Sequence, residues 1–145
     1  MASRSFRPVA LISIHPEYGD QILAGQKRVE FRKARFASAV THVVLYATNP
    51  VQQIIGYFKV KGIVQASPGE LWRRYRHVGG VGKKSFKAYY EDRTTGVAIK
   101  VGKVFGLRAP RPLKSLGPHL TPPQSFRYLP PSVVQQLASD TIGQR

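Results

Sequence analysis

Residues 25–32, Gly25-Gln26-Lys27-Arg28-Val29-Glu30-Phe31-Arg32, end in a strict alternation of charged and apolar side chains from Arg28 to Arg32. As a strand, this segment puts Arg28, Glu30 and Arg32 on one side and sends Val29 and Phe31 to the other, into a core. The glycine ahead of it suits a tight helix-to-strand turn that brings Lys27 to the same rim. Upstream, Pro8–Ile14 reads as a largely buried strand. His15-Pro16 then opens a helix, with Tyr18, Ile22 and Leu23 at helical spacing and Ala24-Gly25 at its end. Downstream, Thr41–Ala47 is a β-run rich in branched and aromatic residues, and Thr48-Asn49-Pro50 is a turn.

Gln53–Ala66 is a long strand pattern whose Gly56 and Gly62 suit a bend, a bulge or a close backbone approach. Ser67-Pro68-Gly69-Glu70 starts a helix to about Arg76, with Ser67 as cap and Glu70 three residues on. His77–Gly82 breaks it, and Ser85–Glu91 forms a second short helix. Thr94–Lys103 and Val104–Leu107 read as strand. Ala109–Pro123 is proline-rich and is expected to form a loop with one strand around Pro112-Leu113. Val133–Ala138 is a last helix, after which the chain is expected to fray. The order lacks a regular βαβ rhythm. It predicts one α+β domain, a small mixed or antiparallel β-barrel with short flanking helices. Its core covers residues 8–129, and 130–145 supply a terminal helix and tail.

Charge changes this picture from a generic small domain to one with a polyanionic partner. In 145 residues, 23 Lys and Arg face 7 Asp and Glu, for a net charge of +16. Between Leu71 and Arg111, eleven basic residues face only Glu91 and Asp92. Nucleic acid is the expected partner, RNA or a single strand ahead of duplex DNA. No run approaches the roughly 18 apolar residues that span a bilayer, so no membrane association is expected. The basic stretch Met1–Arg7 lacks the apolar segment of a signal peptide, and a cytoplasmic location is the expectation. Zero cysteines exclude disulfides and thiolate chemistry. The four histidines are too far apart for metal-ligand spacing, and no cofactor is expected. Gly79–Ser85 lacks the glycine spacing of a phosphate-binding loop and reads instead as a flexible basic flap.

The segment Gly25–Arg32 fits G-x-K-x-x-E-x-R, which resembles the signature of the ASCH domain, a branch of the PUA-like fold. Leu11–Gly25, Tyr46–Pro50, Ile55–Val60 and Pro123–Leu129 look like that family too. The resemblance implies a β-barrel with flanking helices and a cleft beside the first helix, lined by the motif. It also implies RNA or DNA binding. Some similar domains are small enzymes, including N4-acetylcytidine deacylases, in which the motif's lysine is catalytic, and ribonucleases. In the deacylating branch a threonine stands where this chain has Glu30.

The residues expected in the cleft are Lys27, Arg28, Glu30 and Arg32. Lys27 suits a phosphate, a base or, if its pKa is lowered, proton transfer. Glu30 suits either an ion pair that fixes its neighbours or a proton shuttle. Arg32 offers a planar fork for phosphate or a base edge. Tyr46, Thr48 and Asn49 are placed near the cleft mouth, and Ser125 is added to the site by resemblance. Leu71–Arg76 interleaves Trp72 and Tyr75 with Arg73, Arg74 and Arg76, a pattern that serves single-stranded nucleic acid or simply buries one helix face. Lys83, Lys84 and Lys87 extend the phosphate track. The leading expectation is a nucleic-acid-binding module with a basic cleft for a base or nucleotide end. The alternative is an enzyme on RNA or modified nucleosides, with Lys27 and Glu30 catalytic.

Overall fold

The computed structural model describes residues 8–37 and 39–142. The readings made for Met1–Arg7 and for the last three residues lie outside them. Within the described residues, six strands form one mixed sheet: β1 (Val9–Ile14), β2 (Val29–Arg32), β3 (His42–Ala47), β4 (Gln53–Ala66), β5 (Gly96–Arg111) and β6 (Phe126–Leu129). The spatial order is β2-β5-β4-β3-β1-β6. Only β1 and β3 run parallel; every other pair is antiparallel. Among the described residues, four short helices flank the sheet: α1 (Pro16–Leu23), α2 (Pro68–Tyr75), α3 (Lys83–Tyr89) and α4 (Ser132–Ala138). None is long and apolar enough to cross a membrane.

The sheet is curled into a half-barrel. Four inter-strand steps separate β2 from β1, about 19 Å along a flat sheet at about 4.8 Å per step. Yet Arg32 on β2 donates from Nη2 to the Ser13 carbonyl on β1 at 2.8 Å. Register shifts between β4 and β5 help to bend the sheet that far. A side chain at Gly56 would meet the Phe105 carbonyl at 2.6 Å, and one at Gly102 the Lys59 carbonyl at 2.6 Å. Close backbone approach therefore reserves both positions for glycine. The inside of the curl holds Ile12, Ile14, Leu45, Phe58, Val97 and Ile99. A second apolar cluster lies beneath α4, around Leu11, Val44, Tyr46 and Leu137. A third packs α2 and α3 against β2 and β5 through Val29, Phe31, Leu71, Phe86 and Tyr90.

Most expected elements are present, with Ser67 capping α2 by accepting from the Glu70 amide. Three expectations need correction. The strand placed around Pro112-Leu113 is a 3-10 turn, Leu113–Ser115. A strand stands instead at Phe126–Leu129, paired with β1. The two strands read across Thr94–Leu107 are one continuous 16-residue strand, β5.

Candidate functional site

The helix-to-strand turn places the cleft. Gly25 takes a φ of 82°, a conformation open to glycine, just after the end of α1. The amides of Gln26 and Lys27 then both donate to the Gln21 carbonyl. This folds Lys27 beneath α1, where it is 1 % exposed. Its Nζ donates to the Gly79 carbonyl and lies 3.4 Å from Glu30 Oε1. It also faces the rings of Tyr18 and Phe31 at 5.2 and 5.6 Å. Burial lowers its pKa below the ordinary lysine value, Glu30 pulls it back up, and Arg32 adds a smaller downward push.

Glu30 and Arg32 sit opposite Ile99 and Val97 of β5, so they share the inner face of the curl with those residues. Glu30 answers both cations: its Oε2 accepts from Arg32 Nε at 2.9 Å. Arg32 reaches the Ser13 carbonyl and, at 3.4 Å, that of Ser125. A guanidinium has five N–H groups, so one remains on each terminal nitrogen. Tyr90 donates from its hydroxyl to the Arg32 carbonyl at 2.7 Å, tying the strand's end from below. Burial raises the Tyr90 pKa strongly, keeping that donor protonated.

Lys27, Glu30 and Arg32 form the floor of an open cleft of about 390 Å³. Its walls come from the end of β1 (Ser13, Ile14), His15 ahead of α1, Tyr18 of α1, and Val81, Ser85, Phe86 and Tyr89. Burial raises the pKa of both tyrosines, so each presents a protonated hydroxyl. Sequence reasoning did not assign His15, Tyr18, Ser85 or Tyr89 to the site. The available signal was that Ser85 and Tyr89 lie one turn apart on α3.

The segment read as a flexible flap is anchored over the lysine. Arg28 donates from its amide to the Val78 carbonyl at 2.7 Å. A side chain at Gly79 would strike Phe31 at 2.4 Å, and Gly80 has a φ of 69° with Gln21 and Lys27 close by. The glycines let the backbone close over Lys27.

Lys27, Glu30 and Arg32 therefore converge, and the remaining expected residues lie elsewhere. Arg28 is exposed and precedes β2, so its side chain does not join the cleft lining. Tyr46 points to the opposite face of β3 and is buried with Val44 and Ile54. Thr48 donates from its amide to the Ile14 carbonyl, and Asn49 is exposed in the turn; neither lines the cleft. Ser125 meets Arg32 through its carbonyl, not its hydroxyl. Arg73 and Arg74 pair with Glu70 on the exposed face of α2, and Arg76 is exposed at its end. Lys83 and Lys87 border a second hollow on the other side of α3, and Lys84 lines neither. Among the described residues, no group of three or more His, Asp or Glu is placed to hold a metal.

Comparison with known proteins identifies the family and the fold. The family model described as ASCH domain matches residues 12–105. An ASCH domain-containing ribonuclease of Zymomonas mobilis is 32 % identical over 144 residues, which cover 93 % of each chain. Crystal structures of the Zymomonas mobilis ASCH protein superpose closely. A serine-to-alanine variant gives a TM-score of 0.84 at 31 % identity, covering 94 % of this chain and 98 % of that one. The unsubstituted protein gives 0.83 at 31 % identity, covering 92 % and 95 %.

Proposed function

The chain belongs to the ASCH domain family, and on that footing we propose that it binds single-stranded RNA and admits one nucleotide to the Lys27 cleft. The observation that carries this reading is the buried Lys27–Glu30–Arg32 chain at the floor of an open cleft. Two cations share one carboxylate there, which leaves a positive surplus where a phosphate would sit. The two spare N–H groups of Arg32 suit phosphate oxygens. Tyr18 and Tyr89 offer rings and hydroxyls to a base or ribose. The net charge of +16 supplies the long-range attraction.

A second reading, that RNA is cut in this cleft, is favoured by the lowered pKa of Lys27 and by the ribonuclease among the relatives. In its neutral form Lys27 would take the proton of a ribose 2′-hydroxyl. That oxygen would attack the adjacent phosphorus, the bond to the 5′-oxygen would break, and the leaving oxygen would take a proton from water, leaving a cyclic phosphate and a free 5′-hydroxyl while Lys27 keeps the proton of the 2′-hydroxyl until solvent removes it. Glu30 in place of the deacylating branch's threonine makes acetylcytidine a poorer fit than an RNA phosphodiester.

The test pairs binding and cleavage of a labelled single-stranded RNA by the intact chain and by Lys27→Met. Binding that weakens on substitution supports the nucleotide cleft. Cleavage by the intact chain that Lys27→Met loses adds the catalytic reading. Intact chain that binds no single-stranded RNA overturns both.

A further inference from the structure

α3 stands between two hollows. Ser85 and Tyr89 face the Lys27 cleft, Lys83 and Lys87 face away from it, and Phe86 reaches both. The second hollow, about 370 Å³, lies between α2, α3 and the start of the loop to β5. Its aromatic wall is Trp72, Phe86 and Tyr90. Trp72 is half-buried, its ring 5.1 Å from that of Phe86 and tilted at 47°. Phe86 in turn meets Tyr90 edge-on at 4.9 Å. Lys83, Lys87 and Arg93 stand around this wall, and Glu91 is the one carboxylate lining it. The lysines are exposed, and no acidic partner lies within ion-pair distance of either among the described residues.

Aromatic floor and cationic rim are the two requirements of a single-strand subsite: rings take bases irrespective of sequence, and cations follow the backbone. We propose that this hollow is a second base-stacking subsite. An unpaired base would rest on Trp72, and its flanking phosphates would meet Lys83 and Lys87. The strand would cross α3, about 10 Å wide with its side chains, to place another nucleotide in the Lys27 cleft. The inference rests on the RNA reading and adds to it the path of the strand and its minimum length. It also gives α3 a role: one helix divides the catalytic or nucleotide-receiving cleft from a purely binding one.

Trp72 is the only tryptophan of the chain, so its fluorescence reports this hollow alone. The experiment titrates the intact chain with oligoadenylates from a dinucleotide up to roughly eight nucleotides, within the span of single-strand sites. The expected result is a length threshold at which tryptophan fluorescence is quenched and affinity rises roughly tenfold, the scale of one stacked base. Lys83→Ala/Lys87→Ala, on the protein surface, should abolish the rise without changing affinity for the dinucleotide, and Lys84→Ala should leave it intact. Trp72→Phe should retain most of the rise and Trp72→Leu lose it. If oligoadenylates bind through Lys27 but fluorescence stays constant at every length, the second subsite is overturned and the RNA reading stands. A Lys83/Lys87 double variant that matches Lys84→Ala overturns the second subsite in the same way. If no oligoadenylate binds, the RNA reading falls with it.

Discussion

Arg32 Nη2 donates to the carbonyl of Ser13 at 2.8 Å, joining the second strand of the chain to the first across the open seam of the curled sheet. With its bond to Glu30 and its reach to Ser125, the side chain acts as a clasp at the mouth of the cleft. Its exposure is only 13 %. Arg32→Lys keeps the charge but lacks the planar fork, so the carboxylate and the two carbonyls cannot all be served together. The expected outcome is a loss of about 2 kcal/mol of stability, one charge-assisted hydrogen bond's worth, together with weaker RNA binding. Urea denaturation checks the first, and an unchanged midpoint would show that the clasp carries no load.

Lys27 and Glu30 should respond unequally to neutralisation. Glu30→Gln leaves two buried or half-buried cations without their shared carboxylate, whereas Lys27→Met leaves Glu30 still paired with Arg32. Removing one partner of a buried pair costs about 3–5 kcal/mol when a charge is stranded. Glu30→Gln is therefore expected near that range and Lys27→Met well below it. Equal losses in chemical denaturation would mean that Glu30 is not the hub of the chain.

Burial of Lys27 also sets a pH dependence. Its pKa is lower in the folded chain than the ordinary 10.5, so below that value the unfolded chain binds more protons at this site. Stability must then rise with pH across the window between the folded pKa and 10.5. The raised tyrosines work the other way above their ordinary value of 10.0, because the folded chain holds their protons longer. Subtracting the pH profile of Lys27→Met removes the tyrosine contribution. The difference between intact chain and variant should grow in favour of the intact chain as pH climbs towards 10.5. A flat difference would show the ammonium to be as well solvated in the fold as outside it.

How much of the fold and cleft is legible in the sequence divides along local and non-local lines. The strand Gln53–Ala66 and the helix start at Ser67 are written in neighbouring residues, through alternation and capping, and stand where the pattern puts them. The convergence of Lys27, Glu30 and Arg32 follows from one turn and a two-residue period, and the motif resemblance points to the same residues. The burial of Lys27 is not legible, because the backbone that covers it comes from Gly79, fifty-two positions later. Tyr46 shows the same limit: alternation fixes which residues share its face, but not which face meets the cleft. β6 carries little signal because only Leu129 among its four residues is fully buried and prolines surround it.

The covering glycines make a sharp contrast with one on α2. A methyl group at Gly80 would lie 2.3 Å from Gln21 Oε1 and 3.2 Å from Lys27 Cδ, on a backbone of φ 69°. Gly80→Ala is expected to cost about 1–2 kcal/mol from the left-handed conformation alone, and to shift Lys27 and weaken RNA binding. Gly69→Ala, in the first turn of α2 with nothing within 4 Å, should stabilise the chain by about 0.5–1 kcal/mol. Thermal melts of the two variants should move in opposite directions. Movement in the same direction would contradict the anchored cover over Lys27.

Phosphate contacts release counterions, so the logarithm of RNA affinity should fall linearly with the logarithm of salt, by roughly 0.7 per phosphate engaged on a single strand. Lys83 and Lys87 flank the aromatic hollow beyond α3, and each is expected to contribute one such contact. Lys83→Ala/Lys87→Ala should thus reduce the slope by roughly 1.4 and weaken every sufficiently long sequence alike. Lys27→Met acts on one buried group already paired with Glu30, so it should lower affinity with a smaller change in slope. Affinities measured at several salt concentrations separate the two. Identical slopes for the double variant and the intact chain would remove these lysines from the phosphate track.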